Sequence, residues 1–215
     1  DRYGRSRQMN VQEATQNMKI LERKVFTCTS IDQIMGYEGA AARYYFSTLG
    51  RLVESDFRFE KRSRRPPKDA FNSMLSLGYS MLMNEIYGKL ENRGLNPYFG
   101  FMHQDREKHP TLASDLMEEW RAVIVDAVVM NLINGHEIKI EQFSYDTYGN
   151  GVFLNRDAMK IFINKIEKRM GTDNSYLKHI EYRVSFRRSL ELQIDSLIHA
   201  MQEEDMDLYQ PVRIR

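Results

Sequence analysis

The sequence predicts a mainly α fold, a multi-helix domain with at most a short β-hairpin. Two observations support this prediction. Apolar residues recur at steps of three and four along most of the 215 residues, which is the spacing of one helix face. One stretch, residues 137–154, alternates weakly as a strand does and carries a Gly-Asn-Gly turn.

Two helices are predicted in the first fifty residues or so. The apolar face of the first helix is Val11, Ala14, Met18, Leu21 and Val25. Ser30 then provides an N-cap for a second helix through residues 31–53, because its hydroxyl can accept a hydrogen bond from a first-turn amide. The small residues of GYEGAAA, residues 36–42, predict that another backbone packs closely against this helix.

A charged connector leads into a long helix that is predicted from about Asp69 to Arg93. Its predicted buried stripe is Phe71, Met74, Leu75, Leu82, Ile86 and Leu90. Gly94 follows this helix at the position where a left-handed C-terminal cap is usual. An extended loop is then expected to lead to His103.

Three elements are predicted after Pro110. A helix with Leu112, Leu116, Val123, Ala127 and Val128 on its buried face runs to about Asn134. The hairpin of residues 137–154 follows, and Asn155 caps a helix that ends at Met170. A last long helix carries the apolar residues Ile180, Phe186, Leu190, Ile194, Leu197 and Met201.

Composition and charge limit the classes of protein. A hydrophobic content of 42% is sufficient for a buried core, and a net charge of +1 means that only local basic patches can bind a polyanion. The single cysteine, Cys28, excludes an internal disulfide and fits a reducing, cytoplasmic setting. No apolar run approaches the ~20 residues of a membrane span, so we expect no membrane passage.

Common catalytic motifs are absent, among them GxxxxGK, HExxH, GxSxG, CxxC and paired Glu-x-x-His. The candidate chemistry lies in residues 100–121, where His103 ends an apolar segment and Asp115 and Glu118 share a helix face. Two interpretations stay open. Acidic residues near a helix start are commonly capping or solvated residues, whereas a histidine with carboxylates can bind a metal ion.

Glu38 is a carboxylate within the small-sided run GYEGAAA, where a buried, unpaired charge would be costly. Arg43, Arg51 or water satisfies it, or it binds a metal ion. If Glu38, His103 and Glu118 converge, they form the mixed nitrogen and oxygen site that Mn²⁺ and Mg²⁺ accept.

Basic residues cluster in KRSRR, residues 61–65, and arginines there can bind nucleic-acid phosphates through two donors. A solvated basic loop explains the same run equally simply. Two further basic clusters are compatible with plain helix faces, namely Lys165, Lys168 and Arg169, and Arg183, Arg187 and Arg188.

Three segments together resemble one family. MGYEGAAARYYF, RRPPKDAFNSMLSLGYSMLMNEIY, and GFMH followed by DLMEEWR occur in the order and approximate spacing of CRISPR-associated protein one, the integrase of spacer acquisition. The resemblance covers residues 30–170, and the closing YQPVRIR is similar to the family's C-terminus. Members have an N-terminal β-rich domain, and the chain is expected to lack it. We therefore expect residues 1–29 to be a helix or linker remnant and residues 30–215 to be the helical, metal-dependent catalytic domain.

The resemblance implies a metal-dependent DNA integrase and endonuclease that joins 3′-hydroxyl ends of protospacer DNA to the CRISPR repeat. It implies Mg²⁺ or Mn²⁺ as the cofactor. By motif match, Glu38, His103 and Glu118 are the implied metal ligands, and with Asp115 they are the implied catalytic residues. The implied partners are double-stranded DNA, CRISPR-associated protein two and, in the full-length family, a second copy of the chain in a homodimer.

Five residues are candidates for DNA binding under this resemblance. Arg62, Arg64 and Arg65 are expected to contact phosphates, while Asn72 and Tyr79 match a family motif and either position DNA or pack. The alternative function is a non-catalytic helical DNA-binding or scaffolding module, which KRSRR and the expected loss of a domain favour. A measurement of metal binding distinguishes the metal-dependent integrase from the non-catalytic module.

Overall fold

The computed structural model describes residues 11–103, 109–146 and 150–212, and it confirms the mainly α prediction. Its helices are α1 (Gln12–Val25), α2 (Ile31–Leu52), α3 (Ala70–Glu91), α4 (Thr111–Glu118), α5 (Ala127–Asn134), α6 (Arg156–Met170) and α7 (Phe186–Gln202). Two short antiparallel pairs join β1 (Phe143–Tyr145) to β2 (Val152–Leu154) and β3 (Asp173–Asn174) to β4 (Val184–Ser185). None of the described helices combines the length and apolar character that crossing a bilayer requires.

The chain divides into two compact units. The first unit contains residues 1–74 and 132–155, and the second contains residues 75–131 and 156–215. The division therefore falls within α3 and α5. The predicted separation of residues 1–29 from residues 30–215 stays a prediction, although α1 packs on α2 within the first unit.

The first unit begins with the predicted cap, because the Ser30 hydroxyl accepts a hydrogen bond from the Gln33 amide at 3.3 Å. The predicted close packing is not found at Gly36 and Gly39, the two glycines of GYEGAAA. A Cβ placed on Gly36 or Gly39 would meet no atom within 4 Å. The close approach lies at the other end of α2, where a Cβ on Gly50 would collide with the Phe59 carbonyl oxygen. The reason is that α2 buries only its C-terminal part, including Phe46, Leu49 and Leu52.

The predicted hairpin is also in the first unit, with Phe143 opposite Leu154 and Tyr145 opposite Val152. Its predicted turn is Gly149-Asn150-Gly151, of which Gly149 lies outside the described residues. The Val152 amide donates to the Pro67 carbonyl at 2.9 Å. This hydrogen bond connects the hairpin to residues 54–69, the segment that contains KRSRR, which we call the basic connector.

The second unit has a core of large, fully buried side chains, among them Trp120, Phe162, Phe186, Ile86 and Leu90. Gly94 has a φ of 74°, which confirms the predicted left-handed end of α3. The prediction of a single helix from residue 110 to residue 134 is wrong in one respect. It is interrupted after Glu118, and a π-helical segment, Ala122–Asp126, precedes α5. The buried Asp126 lies in this segment and accepts a hydrogen bond from the Tyr79 hydroxyl at 2.5 Å.

The last helix begins at Phe186, so the prediction that Ile180 belongs to it is wrong. The physical cause is the β3–β4 pair, which uses the backbone just before Phe186 in a strand. The Asn174 side-chain amide donates to the Val184 carbonyl at 3.0 Å and reinforces this pair. Ser185 then caps α7 by accepting a hydrogen bond from the Arg188 amide.

Candidate functional site

The loop before His103 is fixed to the first turns of α4. The Thr111 hydroxyl donates to the Tyr98 carbonyl at 2.6 Å and accepts from the Gly100 amide at 2.9 Å. A Cβ on Gly100 would lie 2.6 Å from Asp115 Oδ2 and 2.8 Å from Thr111 Cβ. Glycine is therefore required in GFMH because the loop backbone lies directly against the helix.

Asp115 is the anchor of this loop. Its Oδ2 accepts from the amides of Phe101 at 2.7 Å and Met102 at 3.0 Å, and its Oδ1 accepts from the His103 amide at 3.1 Å. The same Oδ1 lies 2.6 Å from His103 Nδ1. The Asp115 side chain is fully buried, so these four contacts stand in for the hydration of its carboxylate. We call this arrangement the Asp115 clamp.

The Asp115 clamp determines which nitrogen of His103 faces outward. A carboxylate only accepts hydrogen bonds, so Nδ1 must carry a proton and donate it. In the neutral imidazole this leaves a lone pair on Nε2, available to a metal ion or an acidic proton. The His103 side chain is 29% exposed, so the clamp holds the ring while part of it remains accessible. A carboxylate on the far nitrogen is the usual way in which metal-binding histidines are oriented.

Glu118 lies one helical turn after Asp115 and is more open, with 31% of its side chain exposed. Both of its carboxylate oxygens are 2.7 Å from Arg121 Nη1. Of the two acidic residues, Glu118 has the more accessible oxygens, since those of Asp115 are committed to the loop. Glu118 would exchange at least part of its contact with Arg121 to bind a cation.

Glu119 holds the C-terminal segment of the chain against the end of α4. Its Oε1 accepts from the Tyr209 hydroxyl at 2.6 Å, and its Oε2 accepts from the Val212 amide at 2.7 Å. Burial raises the pKa of Glu119, and these hydrogen bonds oppose the shift. Gln193 extends the network by donating to the Tyr209 hydroxyl and accepting from the Trp120 indole. Glu118 therefore lies between two anchored carboxylates, those of Asp115 and Glu119.

The basic connector is organised by Asn72, which is fully buried in the first unit. Its Oδ1 accepts from Arg62 Nη1 at 2.8 Å and from the Ser63 amide at 3.1 Å. Its amide nitrogen donates to the Lys61 carbonyl and to Asp69 Oδ2. This places Asn72 and Arg62 as supports of the loop, whereas Arg64 and Arg65 are exposed.

The remaining predicted site residues are placed as follows. Tyr79 lies in the second unit, and its hydroxyl donates a hydrogen bond to Asp126. Glu38 is exposed on α2 in the first unit, so the premise that it is a buried charge is wrong. Within residues 11–103, 109–146 and 150–212, no group of three or more acidic, histidine or cysteine side chains is positioned to hold a metal ion. The three-ligand set and the five DNA contacts stay predictions.

The roles of His109 and of the Asp115 clamp were not predicted from the sequence. The His109 ring centroid lies 6.4 Å from that of His103, and His109 Nε2 is 3.0 Å from the Ser114 hydroxyl. Asp115 was predicted as a catalytic residue next to the metal ligands, and its role as the anchor of a loop was not predicted. Its spacing from Glu118 gives no sign that a loop twelve residues earlier in the chain folds onto it.

Comparison with known proteins identifies the family. The family model described as CRISPR associated protein Cas1 matches residues 1–168. The chain belongs to the Cas1 family. A CRISPR-associated endonuclease Cas1 from Mycobacterium tuberculosis is 42% identical over 193 residues, covering 90% of this chain and 57% of that protein. One from Leptospira interrogans is 40% identical over 156 residues, covering 71% of this chain and 59% of that protein. The chain thus spans less than two thirds of the length of these relatives.

Solved structures agree with the family and the fold. A chain of a partial Cas6-RT-Cas1–Cas2 complex is 30% identical, with a TM-score of 0.83, covering 95% of this chain and 60% of that one. A Cas1 protein from Thermotoga maritima is 25% identical, with a TM-score of 0.77 and coverages of 94% and 63%. A casposase bound to an integration product is also 25% identical, with a TM-score of 0.79 and coverages of 89% and 54%. The predicted resemblance to the Cas1 family is therefore confirmed.

Proposed function

We propose that this Cas1-family chain is the catalytic part of a metal-dependent DNA integrase and endonuclease of CRISPR adaptation. In this proposal it joins 3′-hydroxyl ends of protospacer DNA to the CRISPR repeat. The observation that carries the proposal is the Asp115 clamp, which gives His103 the protonation pattern of a metal-binding imidazole at the motif that matches the family. The endonuclease names of the relatives and the casposase bound to an integration product support the same class of reaction.

The side chains of the three proposed ligands suit a divalent cation by their chemistry. One imidazole with carboxylates suits Mn²⁺ or Mg²⁺, and we propose Glu38, His103 and Glu118 as the ligands. When bound, such an ion would polarise the scissile phosphodiester and stabilise the negative charge that develops on its oxygens. Asp115 contributes by keeping the proton on His103 Nδ1 and by fixing the loop, so its role is to position His103.

The proposed partners follow from the basic connector and from the relatives. Arg64 and Arg65 are exposed and are proposed to contact DNA phosphates, while Arg62 and Asn72 hold the connector in shape. Double-stranded protospacer and repeat DNA are the proposed substrates. We propose a CRISPR-associated Cas2 protein as the partner, because solved Cas1 neighbours of this chain come from Cas1–Cas2 complexes. A homodimer of the full-length protein is proposed on family membership.

A strand-joining assay tests this function. The protein and its cognate Cas2 are incubated with a 3′-hydroxyl duplex, a supercoiled plasmid that carries the repeat, and Mn²⁺. We expect His103→Ala and Glu118→Gln to lower the joining rate by about 100-fold or more, since loss of even an outer contact at a metal site costs 10–100-fold. His136→Ala is the matched control, because this histidine is 72% exposed and pairs with Glu54. Undiminished joining by His103→Ala would overturn the proposal.

A second candidate function is a non-catalytic DNA-binding or scaffolding module. The contact of both Glu118 oxygens with Arg121 favours it, because that contact satisfies the carboxylate without a metal ion. Titration calorimetry with Mn²⁺ in the presence of duplex DNA separates the two functions. Heat of binding that His103→Ala abolishes supports the integrase, whereas no metal binding by the wild-type protein supports the scaffold.

A further inference from the structure

The proposed function gives no role to residues 205–212, which lie in the second unit and follow α7. We call them the C-terminal strap. The strap begins with a short 3₁₀ helix, Met206–Leu208, which Asp205 caps with its side chain. Ser196 of α7 donates to the carbonyl of the last residue of this turn at 3.3 Å and accepts from the Gln210 amide at 3.2 Å. The strap is therefore docked on α7 in a defined conformation.

The far end of the strap reaches Glu119, the residue directly after Glu118. The Tyr209 hydroxyl donates to Glu119 Oε1 at 2.6 Å, and the Val212 amide donates to Glu119 Oε2 at 2.7 Å. Gln193 of α7 donates to the same Tyr209 hydroxyl at 2.9 Å. Burial and the Glu119 carboxylate raise the pKa of Tyr209, so the phenol keeps the proton that it donates. Tyr209 thus connects α7 to Glu119.

The backbone at this point is the end of a helix. The amides of Glu119 and Trp120 both donate to the Met117 carbonyl, and the π-helical segment begins only at Ala122. The regular ladder of α4 therefore stops at Glu118 and does not hold that residue from its C-terminal side. Side-chain contacts consequently contribute to the direction in which residues 118–121 continue.

The two residues after Glu118 are both anchored by side chains, and the anchors are connected. The Trp120 indole donates to Gln193 at 2.5 Å, and its ring packs edge-on against Phe186 with centroids 6.0 Å apart. Gln193 therefore holds Trp120 and, through Tyr209, also Glu119. The Asp115 clamp holds the preceding turn of α4. Glu118 thus lies between a fixed turn on one side and a strap-dependent junction on the other.

Loss of the Tyr209 hydroxyl would disturb this junction at one atom. Glu119 Oε1 would lose the donor that replaces its hydration, and a largely buried carboxylate then moves toward water or takes up a proton. Movement of Glu119 changes the peptide that joins it to Glu118. This matters for a ligand, because the side chains of a metal site have to be held within about 0.5 Å of the productive geometry.

We propose that Tyr209 is a positioning residue for the candidate metal site, acting through Glu119 to fix the direction in which Glu118 leaves α4. Tyr209 itself touches neither the metal ion nor the substrate in this proposal. The effect on metal affinity rests on the proposed function, whereas the effect on residues 118–121 does not. The experiment therefore measures the two effects separately.

The first measurement is hydrogen exchange by NMR in the metal-free protein. Tyr209→Phe keeps the ring and removes the hydroxyl. We expect the amides of Glu119 and Trp120 to exchange about 10-fold faster or more, since the lost hydrogen bond involves a charged group. The amide of Met102, which Asp115 holds, should be unchanged. Tyr182→Phe is the matched control, because that ring is 65% exposed, and it should leave all three amides unchanged. Unchanged exchange at Glu119 and Trp120 in Tyr209→Phe would overturn the proposal.

The second measurement is Mn²⁺ binding by calorimetry in the presence of duplex DNA, with thermal unfolding to verify that each variant is folded. We expect Tyr209→Phe to weaken Mn²⁺ binding by about 10-fold, the lower end of the effect of an outer contact. DNA affinity without metal should be unchanged, which a general loss of structure would not allow. Glu119→Gln leaves one of the two strap donors without an acceptor and should give the same changes in exchange and in Mn²⁺ binding.

The outcomes separate this inference from the proposed function. Faster exchange with a wild-type Mn²⁺ affinity would make Tyr209 a purely structural residue and overturn the proposal. A wild-type protein that binds no Mn²⁺ would refute the metal-dependent function instead. In that case the exchange of the Glu119 and Trp120 amides alone decides whether Tyr209 fixes the direction of Glu118.

Discussion

Replacing Asp115 with asparagine tests the clamp through both stability and chemistry. If the new amide oxygen keeps the contacts with the amides of Phe101 and Met102, the new NH₂ group faces the His103 amide and Nδ1. The His103 amide then loses its acceptor, and a buried unsatisfied donor costs about 1–3 kcal/mol. The imidazole must also move its proton to Nε2 in order to accept at Nδ1, which removes the outward lone pair.

We therefore expect Asp115→Asn to lower the free energy of unfolding by about 1–3 kcal/mol and to weaken Mn²⁺ binding by about 10–100-fold. Urea denaturation gives the first quantity, and calorimetry gives the second. Asp195→Asn is the control, since its carboxylate is 45% exposed and pairs with Arg93 on the surface. Such a pair typically contributes about 0.2–1 kcal/mol. If the Asp115→Asn protein is as stable as the wild type, the claim that the four contacts of Asp115 stabilise the fold is wrong.

Three further predictions concern the second unit. Gly100→Ala should lower the free energy of unfolding by about 1–3 kcal/mol, because its Cβ would overlap α4, whereas Gly88→Ala, which meets no atom within 4 Å, should raise it by roughly 0.5–1 kcal/mol. Burial raises the pKa of Glu119 above its ordinary value of 4.5, so the wild type should be most stable relative to Glu119→Gln in acid and lose that advantage as pH rises through the raised pKa. Denaturation of both proteins across pH measures this. Lys89 and a neighbouring arginine lower the pKa of Glu191 to about 2, so Glu191→Gln should be less stable above pH 4.5, and the difference should disappear as pH falls through about 2.

Local features of the fold could be predicted because their causes lie within a few residues of each other. The Ser30 cap depends on an amide three residues away, and the left-handed end of α3 depends on Gly94 itself. The buried stripe of α3 follows from helical spacing, and all six of its predicted residues are buried. Sequence periodicity records such contacts directly.

Contacts between distant segments were not predictable in the same way. The spacing of Asp115 and Glu118 is equally compatible with capping, solvation and metal binding, and only the folded loop distinguishes their roles. Glu119 and Tyr209 are ninety residues apart and leave no periodic pattern. The basic cluster of residues 183–188 looks uniform in sequence, although the structure pairs some members with carboxylates and directs Arg183 to a carbonyl.

The protonation pattern of His103 tests the central claim most directly. Nitrogen NMR of ¹⁵N-histidine-labelled, metal-free protein at about pH 9, well above the ordinary titration range of imidazole, distinguishes the two neutral tautomers. His103→Ala assigns the resonance. The Asp115 clamp predicts that the proton resides on Nδ1 in the wild type and moves to Nε2 in Asp115→Asn. A wild-type protein with the proton on Nε2 would contradict the account.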